Sequence, residues 1–302
     1  MKLALRMRPH YTWRLRSRTL ELGPRTLLMG VLNVTPDSFS DGGQFFEPGA
    51  AIEHGLALLD EGADILDIGG ESTRPGAAAV SGQPAVPAEE ELRRVMPVIE
   101  ELLRRRPQVI VSIDTYKAQV ARAAVEAGAE IANDVSGLRW DAEMAPTLAG
   151  LKCAVVLMHM RGRPAEWRTL PPLADPVGLV SRELRGGATA AVAAGIAREH
   201  IVLDPGFGFG KSFDENYPLL AHFDELHQLG FPLLAGVSRK SFIGRTLADS
   251  GSDAPPQERL YGSLAAITAA ILKGAHIVRV HDVKAAAQAA KIADAIEESA
   301  RD

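Results

Sequence analysis

Cysteine is almost missing from this chain of 302 residues, Cys153 being the single one. No intrachain disulfide can form, so the fold must be held by packing. Cys153 itself sits in the apolar run 153–157, where burial is expected rather than reactivity. No run of 18 apolar residues exists, which argues against a membrane-spanning helix. The basic N-terminus lacks the apolar core of a signal peptide, so a cytoplasmic protein without a membrane partner is expected. Positive charge is not in excess either. The net charge is −5, which leaves no footprint for a nucleic-acid partner. The first 25 residues, with several arginines and almost no acid, read as a solvated N-terminal extension, a strand hairpin or a loosely ordered segment. What the chain does have is 46% hydrophobic residues, enough to build one large core.

Short apolar runs alternate with longer segments rich in Ala, Leu, Glu and Arg. The runs lie at 27–32, 65–68, 109–113, 130–133, 154–158, 201–203, 233–235 and 276–280. Helix-favouring segments lie between them at 88–105, 117–127, 175–194, 215–229, 261–273 and 283–299. Eight strands alternating with helices predict the α/β class and a single (β/α)8 TIM barrel over 26–302. Gly62, Gly128 and Gly274 each join a helical pattern to a strand, as the left-handed residue that ends a helix. A doubly wound open sheet is the competitor, but no GxGxxG follows the first strand. No linker divides the chain.

The stretch IVLDPGFGFGK (201–211) shows where function is expected. A buried strand ends in Asp204, and Pro205 and Gly206 turn the chain into a glycine-spaced loop, which is where parallel α/β proteins place ligands. The bland alternative is an aspartate that merely caps the turn. The same arrangement recurs at other strand ends, collecting Asn33, Asp37, Asp67, Asp114, Asn133, His159, Asp204, Lys240, Arg279 and His281 at one mouth. Arg279 and His281, two apart on a strand, share a face. Carboxylates and amides thus come from the early strands and cations from the last two. Such a mouth suits a donor-rich heterocycle at one end and an anion such as a phosphate at the other.

Eight stretches carry a closer likeness: MGVLNVTPDSFSDGG (29–43), DIGGESTRPGA (67–77), SIDTYK (112–117), NDVSG (133–137), LMHMRG (157–162), DPGFGFGK (204–211), GVSRKSFIG (236–244) and GSLAAITAAILKGAHIVRVHDV (262–283). In this order the chain resembles the dihydropteroate synthases of the pterin-binding barrel superfamily. The resemblance implies condensation of a dihydropterin diphosphate with p-aminobenzoate, giving dihydropteroate and pyrophosphate, with Mg²⁺ as cofactor. Asp114, Asn133 and Asp204 match the family's pterin-binding positions, and Lys240 its pterin-contacting lysine. Arg279 and His281 match its diphosphate grip, Asn33 its Mg²⁺ ligand, and Ser241 its contact to the aminobenzoate carboxylate. Met158 would line the pterin side and Phe209 the aminobenzoate side. The catalytic group is then Asn33, Lys240, Arg279 and His281, acting by charge stabilisation and positioning, since no nucleophilic residue is needed.

Other readings of these residues are weighed beside those roles. Asp114 could cap the helix near Lys117, Asn133 could be a turn residue, and Arg239 with Lys240 could be a solvated pair. Segments 33–45 and 71–87 read as lids that exclude water from a reactive cation. They carry Phe39, Asp41, Thr73, Arg74 and Pro75 as closing or substrate-contacting residues. A pterin-dependent methyltransferase would lack SRKSF and the RVHD grip, and a non-catalytic pterin-binding paralogue would not need Asp41, Arg74 and Lys240. The family is typically a homodimer built on its last helices, and the Ala-rich helices at 262–273 and 283–299 could supply that surface.

Overall fold

The computed structural model describes residues 8–35, 48–71, 86–249 and 251–300. A hairpin of β1 (Tyr11–Arg14) and β2 (Thr19–Leu22) precedes eight further strands. These are β3 (Leu27–Asn33), β4 (Ile65–Gly69), β5 (Ile110–Asp114), β6 (Ile131–Asp134), β7 (Ala154–Met158), β8 (Ile201–Asp204), β9 (Leu234–Ala235) and β10 (Ile277–Val280). All pair in parallel, in the order β8-β7-β6-β5-β4-β3-β10-β9. A parallel bridge between Leu203 and Leu233 brings β8 against β9 and closes the barrel.

Period two along each strand sorts the side chains. Met29, Ile65, Ile110, Ile131, Val202, Leu234 and Ile277 form one apolar cluster in the lower barrel. Their neighbours Leu28, Leu66, Val111, Ala132, Leu203, Ala235 and Val278 join the larger core beneath the helices. Two residues further along the inward face stand Asp67, Ser112, Asn133, Asp204 and Arg279. The interior therefore changes from apolar to ionic in one step of the pleat.

The surrounding helices are α1 (Pro48–Asp60), α2 (Ala88–Arg105), α3 (Ala118–Glu126), α4 (Met144–Leu151), α5 (Pro176–Ala193), α6 (Phe213–Ala221), α7 (Ser241–Thr246), α8 (Leu260–Leu272) and α9 (Val283–Ser299). The helices expected at 88–105 and 283–299 have those bounds. Helices α1, α4 and α7 were not among the expected segments. α4 and α7 are short, and α1 and α4 contain Gly or Pro, which weakens the local signal. The segment expected as one helix at 215–229 divides: α6 ends at Ala221 and a 3₁₀ turn follows at Phe223–Leu229. Gly62, Gly128 and Gly274 have φ of +109°, +122° and +92°, as their joints required.

The solvated reading of the N-terminal extension is corrected for residues 8–25. Trp13 is fully buried with Leu22, and with Leu15 they join the lower-barrel cluster, so the hairpin plugs the barrel floor. Trp13 Nε1 donates to the His200 carbonyl at 2.9 Å. Arg8 is buried as well, paired with Asp294 at 2.7 Å and Glu297 at 2.8 Å and donating to the Ala275 carbonyl. The arginines that made this segment look like surface tie the hairpin to α9 and to Glu130.

If the plug closes the core, Trp13→Ala should cost about 3–5 kcal/mol, the usual range for emptying a large aromatic site. Urea unfolding followed by circular dichroism would show a lower midpoint at unchanged slope. A midpoint equal to that of the unsubstituted chain would mean that the hairpin only leans on the barrel.

Candidate active site

Asp67 on β4, Asp114 on β5, Asn133 on β6 and Arg279 on β10 meet at the mouth. Arg279 Nε donates to Asp67 Oδ2 at 2.6 Å and Nη2 donates to Asp114 Oδ2 at 2.7 Å. Asn133 Nδ2 donates to the same Asp67 oxygen at 2.9 Å. Asp67 is wholly buried, and its Oδ1 has no hydrogen-bond partner among the described residues. One guanidinium thus serves two carboxylates. Burial pushes the Asp114 carboxyl up to about 7, against the pull of Arg279, and the charge of Asp67 adds to the rise. Burial also works against the charge of Arg279, but the two aspartates outweigh it and hold that group above its ordinary value.

Asp204 does two things. Its Oδ1 accepts from Gly206 N at 2.7 Å, so it does cap its own turn. Its Oδ2 is turned toward Gly236, where a Cβ would lie 3.7 Å from that oxygen and 3.9 Å from Arg279 Cβ. Without a Cβ at Gly236, the space between that oxygen and the Arg279 Cβ stays open. Burial raises the Asp204 pKa, opposed by the Gly206 N–H. Lys240 Nζ stands 3.9 Å over the Phe209 ring. Arg239 is held elsewhere, by Asp282 at 2.9 Å and with its own N–H on Ser263, so the two basic residues are not a solvated pair. His281 Nδ1 lies 3.2 Å from Ser238 Oγ.

Asn33, Asp114, Phe209, Lys240, Ser241, Arg279 and His281 line a cavity of about 250 Å³, together with Glu71, Ser238, Gly236 and Trp167. Asn133 reaches this site through Asp67, and Asp204 borders it at Gly236. Met158 is packed behind it, in a cluster with Val135, Met160, Tyr116, Trp140, Trp167 and Phe209. Phe39, Asp41, Thr73, Arg74 and Pro75 lie outside the described residues, as does Asp37. The helix-cap reading of Asp114 fails, because Asp141 Oδ2 accepts from the first N–H of α3 at 2.8 Å. The turn reading of Asn133 fails too: Asp134 takes the N–H groups of Ser136 and Leu138.

Two residues acquire parts that sequence reasoning did not assign. Asp67 stood among the polar strand ends, but its role as a shared acceptor appears only when three strands are side by side. Glu71 was absorbed into a lid segment, yet it lines the cavity, pairs with Lys117 at 2.5 Å and accepts from Tyr116 at 3.1 Å. Chemically the cavity lining combines acceptors, Asn33, Glu71 and Asp114, with the basic side chains of Lys240 and Arg279. No three His, Cys, Asp or Glu side chains among the described residues converge as a metal cage.

Comparison with known proteins gives the family of the chain. Residues 29–281 match the family of pterin binding enzymes. A dihydropteroate synthase of Synechocystis is 46% identical over 275 residues, 91% of each chain. One of Escherichia coli is 45% identical over 269 residues, 89% of this chain and 90% of its own. A crystal structure of Xanthomonas albilineans dihydropteroate synthase with 4-aminobenzoic acid superposes with a TM-score of 0.85 at 46% identity. That superposition covers 96% of this chain and 99% of that one.

Asp67→Asn removes the charge that Arg279 and Asn133 share while keeping the volume. Breaking a buried, hydrogen-bonded pair costs about 3–5 kcal/mol, and urea unfolding at neutral pH should show a loss of that order. A loss below about 1 kcal/mol would mean that Asp114 alone satisfies the guanidinium.

Proposed function

The chain belongs to the pterin-binding enzyme family, among its dihydropteroate synthases, and we propose that the cavity at its barrel mouth carries that transferase reaction. One observation carries the assignment of residues: carboxylate and amide acceptors line the same cavity as Lys240 and Arg279, with Arg279 paired to Asp114. The amino-pyrimidinone edge of a dihydropterin presents N–H donors, which Asp114, Asn133 and Asp204 would accept. One oxygen of Asp114 and one of Asp204 are already taken within the chain, and their second oxygens, with the Asn133 amide oxygen, would receive the ligand's donors. Lys240, over Phe209, would reach the ring's acceptor oxygen. Arg279 and His281 would grip the diphosphate.

The C–O bond to the diphosphate breaks, and the aniline nitrogen of p-aminobenzoate forms the new C–N bond. Pyrophosphate and a proton are released. The side chains at the mouth have no nucleophilic step to perform. Their work is to orient two substrates and to hold fixed charge against the leaving oxygens. Phe209 and Trp167, whose rings meet edge-on at 5.6 Å, would wall the aminobenzoate, with its carboxylate at Ser241 and the start of α7. Thr73, Arg74, Pro75, Phe39 and Asp41 are proposed to complete the closed site.

Asn33 at the end of β3 fits a Mg²⁺ ion. It sets one hard oxygen donor on the cavity wall near Arg279 and His281, and Mg²⁺ takes its other ligands from phosphate and water. The ion would neutralise charge on the diphosphate. No helix among the described residues is long and apolar enough to cross a membrane, and a cytoplasmic setting is part of this proposal.

A homodimer also belongs to it. Tyr261 on α8 is 83% exposed and Ile292 on α9 is 64% exposed, and the two helices pack side by side. A second copy covering this apolar face is the expected occupant. Sedimentation velocity should find a dimer, and Tyr261→Glu with Ile292→Glu should yield monomer. A monomeric parent chain would remove the proposal.

The function is tested by supplying the dihydropterin diphosphate and Mg²⁺, with and without p-aminobenzoate, and measuring pyrophosphate and dihydropteroate. Product that needs both substrates is expected. Lys240→Ala should lower turnover by about a hundredfold or more, the size of a lost transition-state contact, with an unchanged circular dichroism spectrum. Tight pterin binding without product would overturn the assignment, and ordinary turnover in the lysine variant would take Lys240 out of the site.

A further inference from the structure

The loop from β8 to α6 is seamed to the loop after β7. His159 N donates to the Asp204 carbonyl at 2.8 Å, and Arg161 N donates to the Phe209 carbonyl at 3.4 Å. Gly206 and Gly210, with φ of +65° and +67°, allow the close approach. A Cβ on the first would fall 2.0 Å from the His159 carbonyl oxygen, and one on the second 2.3 Å from that of Arg161. Lys211 runs into this seam and is only 7% exposed. Its Nζ donates to the Gly206 carbonyl at 2.7 Å, Phe209 at 3.3 Å and His159 at 3.5 Å. An ammonium has three N–H donors, and here three carbonyls from two loops use them. Within the β8 loop itself, Asn216 of α6 accepts from Gly208 N at 2.7 Å through Oδ1.

A buried ammonium is costly unless it is fully hydrogen-bonded, and a methionine would fill the same volume without that cost. Burial pushes the Lys211 pKa down to about 7, against the pull of Asp204, and what its amino group supplies is a fixed relation between the two loops. At the tip of one sits Phe209, under Lys240 and edge-on to Trp167.

We propose that Lys211 is a positioning residue for the aminobenzoate half of the site. Its amino group clamps the β7 and β8 loops and thereby sets the Phe209 ring against Lys240. The inference rests on the synthase reading above and adds a residue to it that touches neither substrate. Because Phe209 stands on the aminobenzoate side, loosening the clamp should affect one substrate more than the other.

Steady-state kinetics of Lys211→Met test this. The KM for p-aminobenzoate should rise roughly tenfold, as expected when a positioning contact is lost, while the KM for the dihydropterin diphosphate stays within about twofold. In a Phe209→Ala background the same lysine substitution should add little, because both changes act through one ring. Equal rises in both KM values, or additive effects in the double variant, would overturn the proposal. Should Lys211→Met not fold by circular dichroism, Lys211→Gln takes its place, and an unchanged aminobenzoate KM in that variant overturns it equally. Product formation by the unsubstituted enzyme tests the synthase reading separately.

Discussion

The guanidinium of Arg279 is the group on which the mouth of this barrel depends. Two aspartates from adjacent strands project into a space that excludes most water, and the mutual repulsion of two such charges would be severe at low dielectric. A single planar fork, reaching from the last strand across the seam of the barrel, bridges both of them. An ammonium could not do this as well, because only a guanidinium presents two donors at fixed separation to two carboxylates at once. Asn133 then takes its place from the same Asp67 oxygen, so the positions of three site residues follow from one buried carboxylate.

That ionic layer is possible because the layer below it is closed. The inward positions of the strands alternate with the core-facing ones, and two residues separate the apolar floor from the charged mouth. The hairpin ahead of the barrel adds Trp13, Leu15 and Leu22 beneath that floor. Water is thereby kept from entering from below, which keeps the charged layer in a low dielectric and makes its pairings strong. Stability is thus concentrated at one end of the barrel and binding chemistry at the other, as parallel barrels commonly arrange it.

The barrel was legible in the sequence because its strands are short β-branched runs and its longer helices carry a helical period. A hairpin was among the readings of the first 25 residues, but its burial was not, because arginines hide an alternation with Trp13 and Leu15 that becomes meaningful only against the barrel floor. Asp114, Asn133 and Asp204 were legible as strand-end polar residues, and the cations of β10 by their spacing. Their partners were not. That Asp204 both caps its turn and faces the cavity, or that Asp141 caps α3 in place of Asp114, depends on contacts between residues far apart in the chain. Lys211 belongs to the same class: the motif DPGFGFGK displays the lysine, but the three carbonyls that hold it come from two loops.

The pairings also bear on how a ligand enters. Asp114 Oδ2 already accepts from Arg279, yet burial, with the charge of Asp67 adding to it, keeps the pKa of Asp114 raised. A heterocycle whose N–H groups reach Asp114 offsets that rise, since neutral donors satisfy the carboxylate without adding charge. The outer nitrogen of Arg279 is then less committed to Asp114, while Asp67 still anchors the guanidinium through Nε. The same residue can therefore stay oriented and turn part of its donor capacity toward an anion. On the proposed function, recognition of the heterocycle and of the phosphate end would be coupled through one side chain, which would favour a ligand carrying both groups over either alone.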